Sequence, residues 1–256
     1  MATTYIEVVN EILTELNEVN LTDVTFPSAV NIQNHVKALV NRAYFDICTE
    51  HYRWPFLAEN TSSEPFLGNT YIETVAGQRW YLLNPDRTDK DDDYAFVDWD
   101  RFYLTTMGVD GESVPYKNNR LKYIDIDYWM KHFRAREDDD LSSENPQYGR
   151  PLRTLRNPDN IRFGLSPIPD QVYRIYFYAY KQPTKLELAT DEFVIPDKFI
   201  STLIARARYY AWQIKENPQQ ASLAIEDYKK GIRRMREVLI EDQPDFISDD
   251  RIRFLY

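Results

Sequence analysis

Cysteine, glycine and histidine are scarce in this chain, and each scarcity removes a class of function. Among 256 residues there is one cysteine, Cys48. That excludes an intramolecular disulfide framework and any multi-cysteine zinc or iron–sulfur site. Glycines number 7, about half the usual share, so a glycine-rich phosphate cradle is not expected. His35, His51 and His132 are few and scattered, and none is read as part of a metal-ligand set. No apolar run reaches the roughly 18–20 residues of a membrane span. The opening Met1-Ala2-Thr3-Thr4-Tyr5-Ile6-Glu7 lacks the basic and apolar regions of a signal peptide. A soluble, intracellularly made protein without a membrane partner is therefore expected. Basic residues are also in deficit, 31 against 41 acidic, for a net charge of −10 and a pI near 4.9. That excludes a globally basic nucleic-acid binder, although not a local basic face.

Aromatics, by contrast, are in surplus: 19 tyrosines, 13 phenylalanines and 5 tryptophans. Tyrosine and tryptophan join apolar bulk to a polar tip and are enriched at protein–protein interfaces.

The chain changes period twice. Ile6, Val9, Leu13 and Leu16 recur at three and four, which predicts a helix over 5–17. A second helix is expected from an N-cap at Ser28 to about Tyr52, with His35 partly packed on its apolar stripe. Trp54-Pro55 ends it, because the residue before proline is pushed out of the helical region. Residues 70–75 and 78–83 alternate around Ala76-Gly77 and read as a β-hairpin or two neighbouring strands. Further strand is expected near Phe96 to Leu104, then a short helix over 125–136 with Ile126, Trp129, Met130 and Phe133 on its apolar side. Thr154-Leu155-Arg156 and Ile161 to Leu165 flank a turn at Asn157-Pro158-Asp159-Asn160. Val172 to Tyr180 is the strongest strand signal. Two helices close the pattern, 195–215 with a stripe ending at Ile214, and 218–239 with proline in its first turn. This order predicts an α+β fold. Terminal helices (1–57 and 194–240) form a helical bundle, 58–193 is a β-rich insertion, and 241–256 is an extended C-terminal tail. Trp54, Phe56 and Trp80 are the expected core anchors where insertion and bundle meet.

No motif points to catalysis, metal or cofactor. Asp89-x-Asp91-x-Asp93 resembles the opening of a calcium loop, but Tyr94 replaces the glycine needed for its turn and Asp100 the final glutamate. Seven aspartates against two cations leave −5 over 86–100, which reads as a solvated acidic loop. Cys48 reads as a small buried residue. Nucleophile-elbow, zincin and phosphate-loop patterns are missing. An enzyme is not expected.

Charge is unevenly placed. Residues 198–240 hold nine basic and four acidic side chains, and Lys229, Lys230, Arg233, Arg234 and Arg236 fall together. That cluster reads as a solvated helix face, as a charged assembly surface for an acidic partner such as a second copy, or as a DNA-binding helix of a regulatory protein. The last residues, Phe246, Ile247, Ile252, Phe254, Leu255 and Tyr256, form either a disordered terminus or an anchor for a partner's groove.

Several segments together resemble head–tail connector (adaptor or neck) proteins of tailed bacteriophages, and closely virion structural proteins of contractile-tailed cyanobacterial phages. They are Val40-Asn41-Arg42-Ala43-Tyr44 with Trp54-Pro55-Phe56-Leu57, Thr74 to Leu82, Phe163 to Asp170, Tyr173 to Tyr180 with Pro183, Ile195-Pro196-Asp197, and Arg251-Ile252-Arg253-Phe254. The resemblance implies a virion neck protein forming a homo-oligomeric ring, commonly twelve copies. Such a ring joins the portal protein to the tail and passes double-stranded DNA without sequence recognition. It also implies that Phe246 to Tyr256 dock on the portal. Acidic loops suit a channel wall that repels DNA. Another neck, tail or baseplate position is the alternative within the same class.

Overall fold

The three-to-four spacing of the first segment yields helix α1 (Tyr5–Glu15), which buries Tyr5, Val8, Val9, Ile12 and Leu13. In its first turn the Glu7 carboxylate accepts the Thr4 N–H at 2.9 Å. These elements are seen in a computed structural model that describes residues 3–51, 53–62, 67–89, 93–107, 113–134 and 148–240. Helix α2 (Asn31–Glu50) starts later than a Ser28 cap implies. The Ser28 hydroxyl instead donates to the Thr25 carbonyl at 3.2 Å, closing a turn with Thr22. His35 is exposed, not packed.

Helices α4 (Ile200–Ile214) and α5 (Pro218–Leu239) follow a 3-10 turn at Asp197–Phe199. The Asn217 carboxamide accepts the Gln220 N–H at 3.2 Å, so the asparagine–proline pair that breaks one helix caps the next. Ala221, Ala224, Tyr228, Ile232 and Met235 face inward. Ile214, expected to end the α4 stripe, is exposed. These helices belong to one compact unit, Met1–Leu57 with Pro183–Tyr256; the other unit is Ala58–Gln182. The helical unit thus takes in the residues from Pro183 onward, where the sequence places the boundary at 193/194. The buried Asn41 amide shows what fastens this segment. It donates to the Leu186 carbonyl at 2.9 Å and accepts the Leu186 N–H at 3.0 Å, so two backbone groups are satisfied at once.

The second unit is two four-stranded sheets and a short pair. Its strands are β1 (Thr70–Glu73), β2 (Trp80–Leu82), β3 (Tyr94–Val97), β4 (Tyr103–Met107) and β5 (Ser113–Arg120). After them come β6 (Lys122–Ile124), β7 (Arg153–Arg156), β8 (Arg162–Ser166), β9 (Tyr173–Phe177) and β10 (Ala179–Lys181). Strand orders are β1-β9-β4-β5, β2-β8-β7-β6 and β10-β3. Strands β1 and β2 therefore do not form a hairpin. Each pairs across more than 80 residues, Ile72 opposite Ile175 and Tyr81 opposite Phe163. The intervening turn finds other partners: the Gly77 N–H donates to the Pro169 carbonyl at 2.9 Å, and the Tyr81 hydroxyl donates to the Gln78 carbonyl at 2.6 Å. Gly77 takes φ +82°, which glycine adopts without a Cβ penalty.

The β7–β8 hairpin forms around the expected turn, whose Asp159 carboxylate accepts the Ile161 and Arg162 N–H groups. Strands β5 and β6 were not anticipated. Residues 113–120 hold little alternation and carry Pro115, which an edge strand tolerates because one of its sides lacks a neighbour among the described residues. A core of Ile72, Tyr81, Phe102, Leu104, Phe163, Leu165, Ile175 and Phe177 lies within this unit. Phe102 and Phe177 stack at 5.0 Å between ring centres. Helix α3 (Ile126–His132) is capped by the Asp125 carboxylate and packs Trp129 with Ile124 and Leu155, leaving Met130 exposed against expectation. The two units together give the α+β class.

Candidate assembly surfaces

The helical unit is held by ion pairs that reach from α4 and α5 to the N-terminal helices. The Arg206 guanidinium donates to Asp46 on α2 at 2.8 Å, and the Tyr210 hydroxyl donates to the same carboxylate oxygen at 2.5 Å. Arg206 also lies over the rings of Tyr209, Tyr210 and Tyr228. Burial, the largest single influence, works against its charge, yet the hydrogen bond and charge of Asp46 together with the Tyr210 and Tyr228 hydroxyls outweigh it and hold its pKa above the ordinary value. Burial pushes the Tyr228 phenol up to about 12. Arg208 pairs with Glu11 and Glu15 of α1, and Lys215 with Glu18 at 2.8 Å. Sequence reasoning missed this set. Asp46 and Arg206 are 160 residues apart, and no local spacing signals the pair.

The basic cluster sits on the C-terminal half of α5, where Lys229, Lys230, Arg233, Arg234 and Arg236 are all exposed. Of these only Arg236 lies in the last turn, where the negative end of the helix dipole favours a cation. Arg236 pairs with Glu50 of α2 at 2.9 Å, and Lys230 lies 3.7 Å from Asp227. Lys229, Arg233 and Arg236 line a groove with Glu50, Tyr228 and Ile232.

Of the expected anchors, Trp54 is fully buried; its indole N–H donates to the Ile47 carbonyl at 2.8 Å. Phe56 stacks on it at 5.6 Å and is half-buried. Trp80, also half-buried, lies in the other unit, packed against Ile124, Trp129 and Leu155. Opposite it in the ladder is Gly164, where a Cβ would meet the Trp80 ring at 2.8 Å. Glycine is needed there for space.

Asp93 of the acidic loop is paired with Arg87, which spends its charge locally; Asp91 lies outside the described residues. Burial pushes the Cys48 thiol up to about 12, as for an inert packed side chain. Among the described residues, no three His, Cys, Asp or Glu side chains gather as a metal site would need. No described helix is long and apolar enough to cross a membrane. Phe246, Ile247, Ile252, Phe254, Leu255 and Tyr256 lie outside the described residues.

The arrangement is thus one of cross-helix ion pairs, buried aromatic packing and an exposed basic strip, features that suit assembly. A comparison with curated proteins finds no match. The family model described as SU10 adaptor protein matches residues 3–251, and so spans the described parts of both units. Covering nearly the whole length, that match places the chain in the SU10 adaptor protein family, a family of bacteriophage structural adaptor proteins.

Proposed function

We propose that the protein is the head-to-tail connector of a phage virion: a ring, with twelve copies the expected number, that joins the portal to the tail and surrounds part of the DNA channel. The observation that carries this reading is the family match over residues 3–251. Supporting it are an acidic chain, net −10, suited to a wall that lets DNA slide past. A contractile tail is the setting to test first, on the resemblance to cyanobacterial phage proteins. Phe246 to Tyr256, whose sequence offers several apolar anchors, are assigned to the portal.

Electron cryomicroscopy of purified virions, classified on the neck, tests the assignment. A ring of this chain directly below the portal is the expected result and gives the copy number. Density at the tail tip or baseplate overturns the connector position while keeping the structural class. Deleting residues 246–256 is expected to abolish binding to the portal ring; unchanged binding would show that the tail serves another purpose.

A further inference from the structure

The nine basic residues between 198 and 240 divide by what they touch. Arg206, Arg208, Lys215 and Arg236 each pair with a carboxylate of the N-terminal helices or the residues after α1. Lys198 lies 5.0 Å from the Phe199 ring centre, and Lys230 stays within its own helix beside Asp227. Lys229, Arg233 and Arg234 remain, with no carboxylate within ion-pair distance among the described residues. They are neighbours on α5. Lys229 and Arg233 stand four residues apart, as do Lys230 and Arg234, and like charges at that spacing disfavour the helix slightly. Glu226 and Glu237 stand three or four residues from these cations, yet neither forms an ion pair with them, so the fold of one copy leaves the three without a direct carboxylate contact among the described residues.

The groove beside it has a matching shape. Its volume is about 290 Å³, with Tyr228 and Ile232 as an apolar floor and Lys229, Arg233 and Arg236 on the rim. The single carboxylate there, Glu50, is already engaged by Arg236. An aspartate or glutamate side chain would lay its methylenes on that floor and its charge against Lys229 and Arg233. Val238, exposed one turn beyond Arg234, extends the contact with apolar surface.

We propose that this strip is where a second copy of the chain docks its carboxylates, which makes Lys229, Arg233 and Arg234 the charge contacts of a subunit–subunit interface. Charge complementarity identifies the occupant. Outside 198–240 the chain holds 22 basic and 37 acidic residues, a net of −15, whereas 198–240 is +5. Two copies repel on average and attract only where the basic strip of one meets an acidic face of the next. Because the two faces differ, such a contact can be made head-to-tail, the arrangement that generates a ring when its rotation closes and a filament when it does not. Duplex DNA is the poorer occupant, because it would meet the same strip but be repelled by the rest of the molecule.

This inference rests on the ring reading, and the experiment separates the two. Full-length protein, half of it labelled with ¹⁵N, is assembled alone or on the portal protein and treated with a carbodiimide, which couples lysine amines to carboxylates in contact. Lys229 or Lys230 joined to an aspartate or glutamate of the opposite label is the expected result. Links confined to one copy, or made only to the portal, overturn it. In parallel, Arg233→Glu/Arg234→Glu is expected to weaken assembly at least tenfold while the monomer melts as before, and Arg233→Lys/Arg234→Lys to restore it. Rings of the reversed variant equal to wild type, at the same salt, overturn the contact and leave the ring standing. Wild type that never assembles, even on the portal, overturns both. Binding of a duplex oligonucleotide that these charge reversals abolish would reassign the strip to nucleic acid.

Discussion

At the scale of single residues, two side chains close the helical unit in different ways. Trp54 fills space: it is fully buried, stacks on Phe56 and satisfies its one polar atom on the Ile47 carbonyl. Trp54→Ala is expected to cost about 3–5 kcal/mol, the range for removing a buried aromatic and leaving a cavity. Chemical denaturation measures it, and a change below about 1 kcal/mol would place the ring at an exposed site. Asn41 instead supplies hydrogen bonds, to Leu186 and to the Tyr5 hydroxyl at 2.8 Å. The tryptophan was legible, since a large aromatic before proline at a helix end invites burial. The asparagine was not, because its partners Tyr5 and Leu186 lie 36 and 145 residues away and nothing local distinguishes it from a surface asparagine.

Elements meet through close approaches that a sequence states only as composition. Gly231 on α5 sits where a Cβ would lie 2.4 Å from the Thr202 hydroxyl oxygen and 2.7 Å from its methyl on α4. The glycine lets the two helices touch, although it lowers the intrinsic helix propensity of α5. Gly231→Ala is therefore expected to destabilise the protein by about 1–3 kcal/mol despite alanine's higher propensity. Thr202→Ala removes the two nearest atoms, so the double variant should recover part of that loss. Thermal melting of the four proteins gives the coupling, and additive effects would show that the helices are not in contact there. Helices were the most legible elements. Their apolar period is local, so α1, α4 and α5 fall near their expected residues. Strand pairing is not local. The alternation at 70–83 marked two strands correctly, but both chose partners in the 162–177 region, where longer aromatic and β-branched strands offered more surface to bury.

Across the whole molecule, the aromatic surplus has a consequence for pH. Burial raises the phenols of Tyr94 and Tyr228 to about 12, and Tyr5, Tyr44, Tyr81, Tyr178 and Tyr210 are raised as well. In the unfolded chain a tyrosine ionises near pH 10. The folded state thus keeps its protons over a range in which the unfolded state has lost them. These groups leave stability unchanged below about pH 10 and reduce it as pH rises from there toward 12. Tyrosinate absorbance followed together with helical circular dichroism should show two classes, the second ionising as the helices melt. Titration of all the tyrosines near pH 10 with intact helices would contradict it.

What the sequence by itself determined is whatever depends on neighbours within a few residues. That covers most of the inward faces of the helices (His35, Met130 and Ile214 excepted), the Asn157–Asn160 turn, the strength of β9 and the concentration of positive charge after residue 228. Helix and strand periods, turn chemistry and charge density are all properties of short windows. Tertiary structure alone decided which strands pair, which of the nine cations are spent on Asp46, Glu11, Glu15, Glu18 and Glu50, and which form no such pair among the described residues. Those choices depend on groups that are far apart along the chain, and only packing brings them within hydrogen-bonding reach. The candidate surface shows both sides: its five basic residues were evident from the sequence, but their division into internal ties and outward contacts was not.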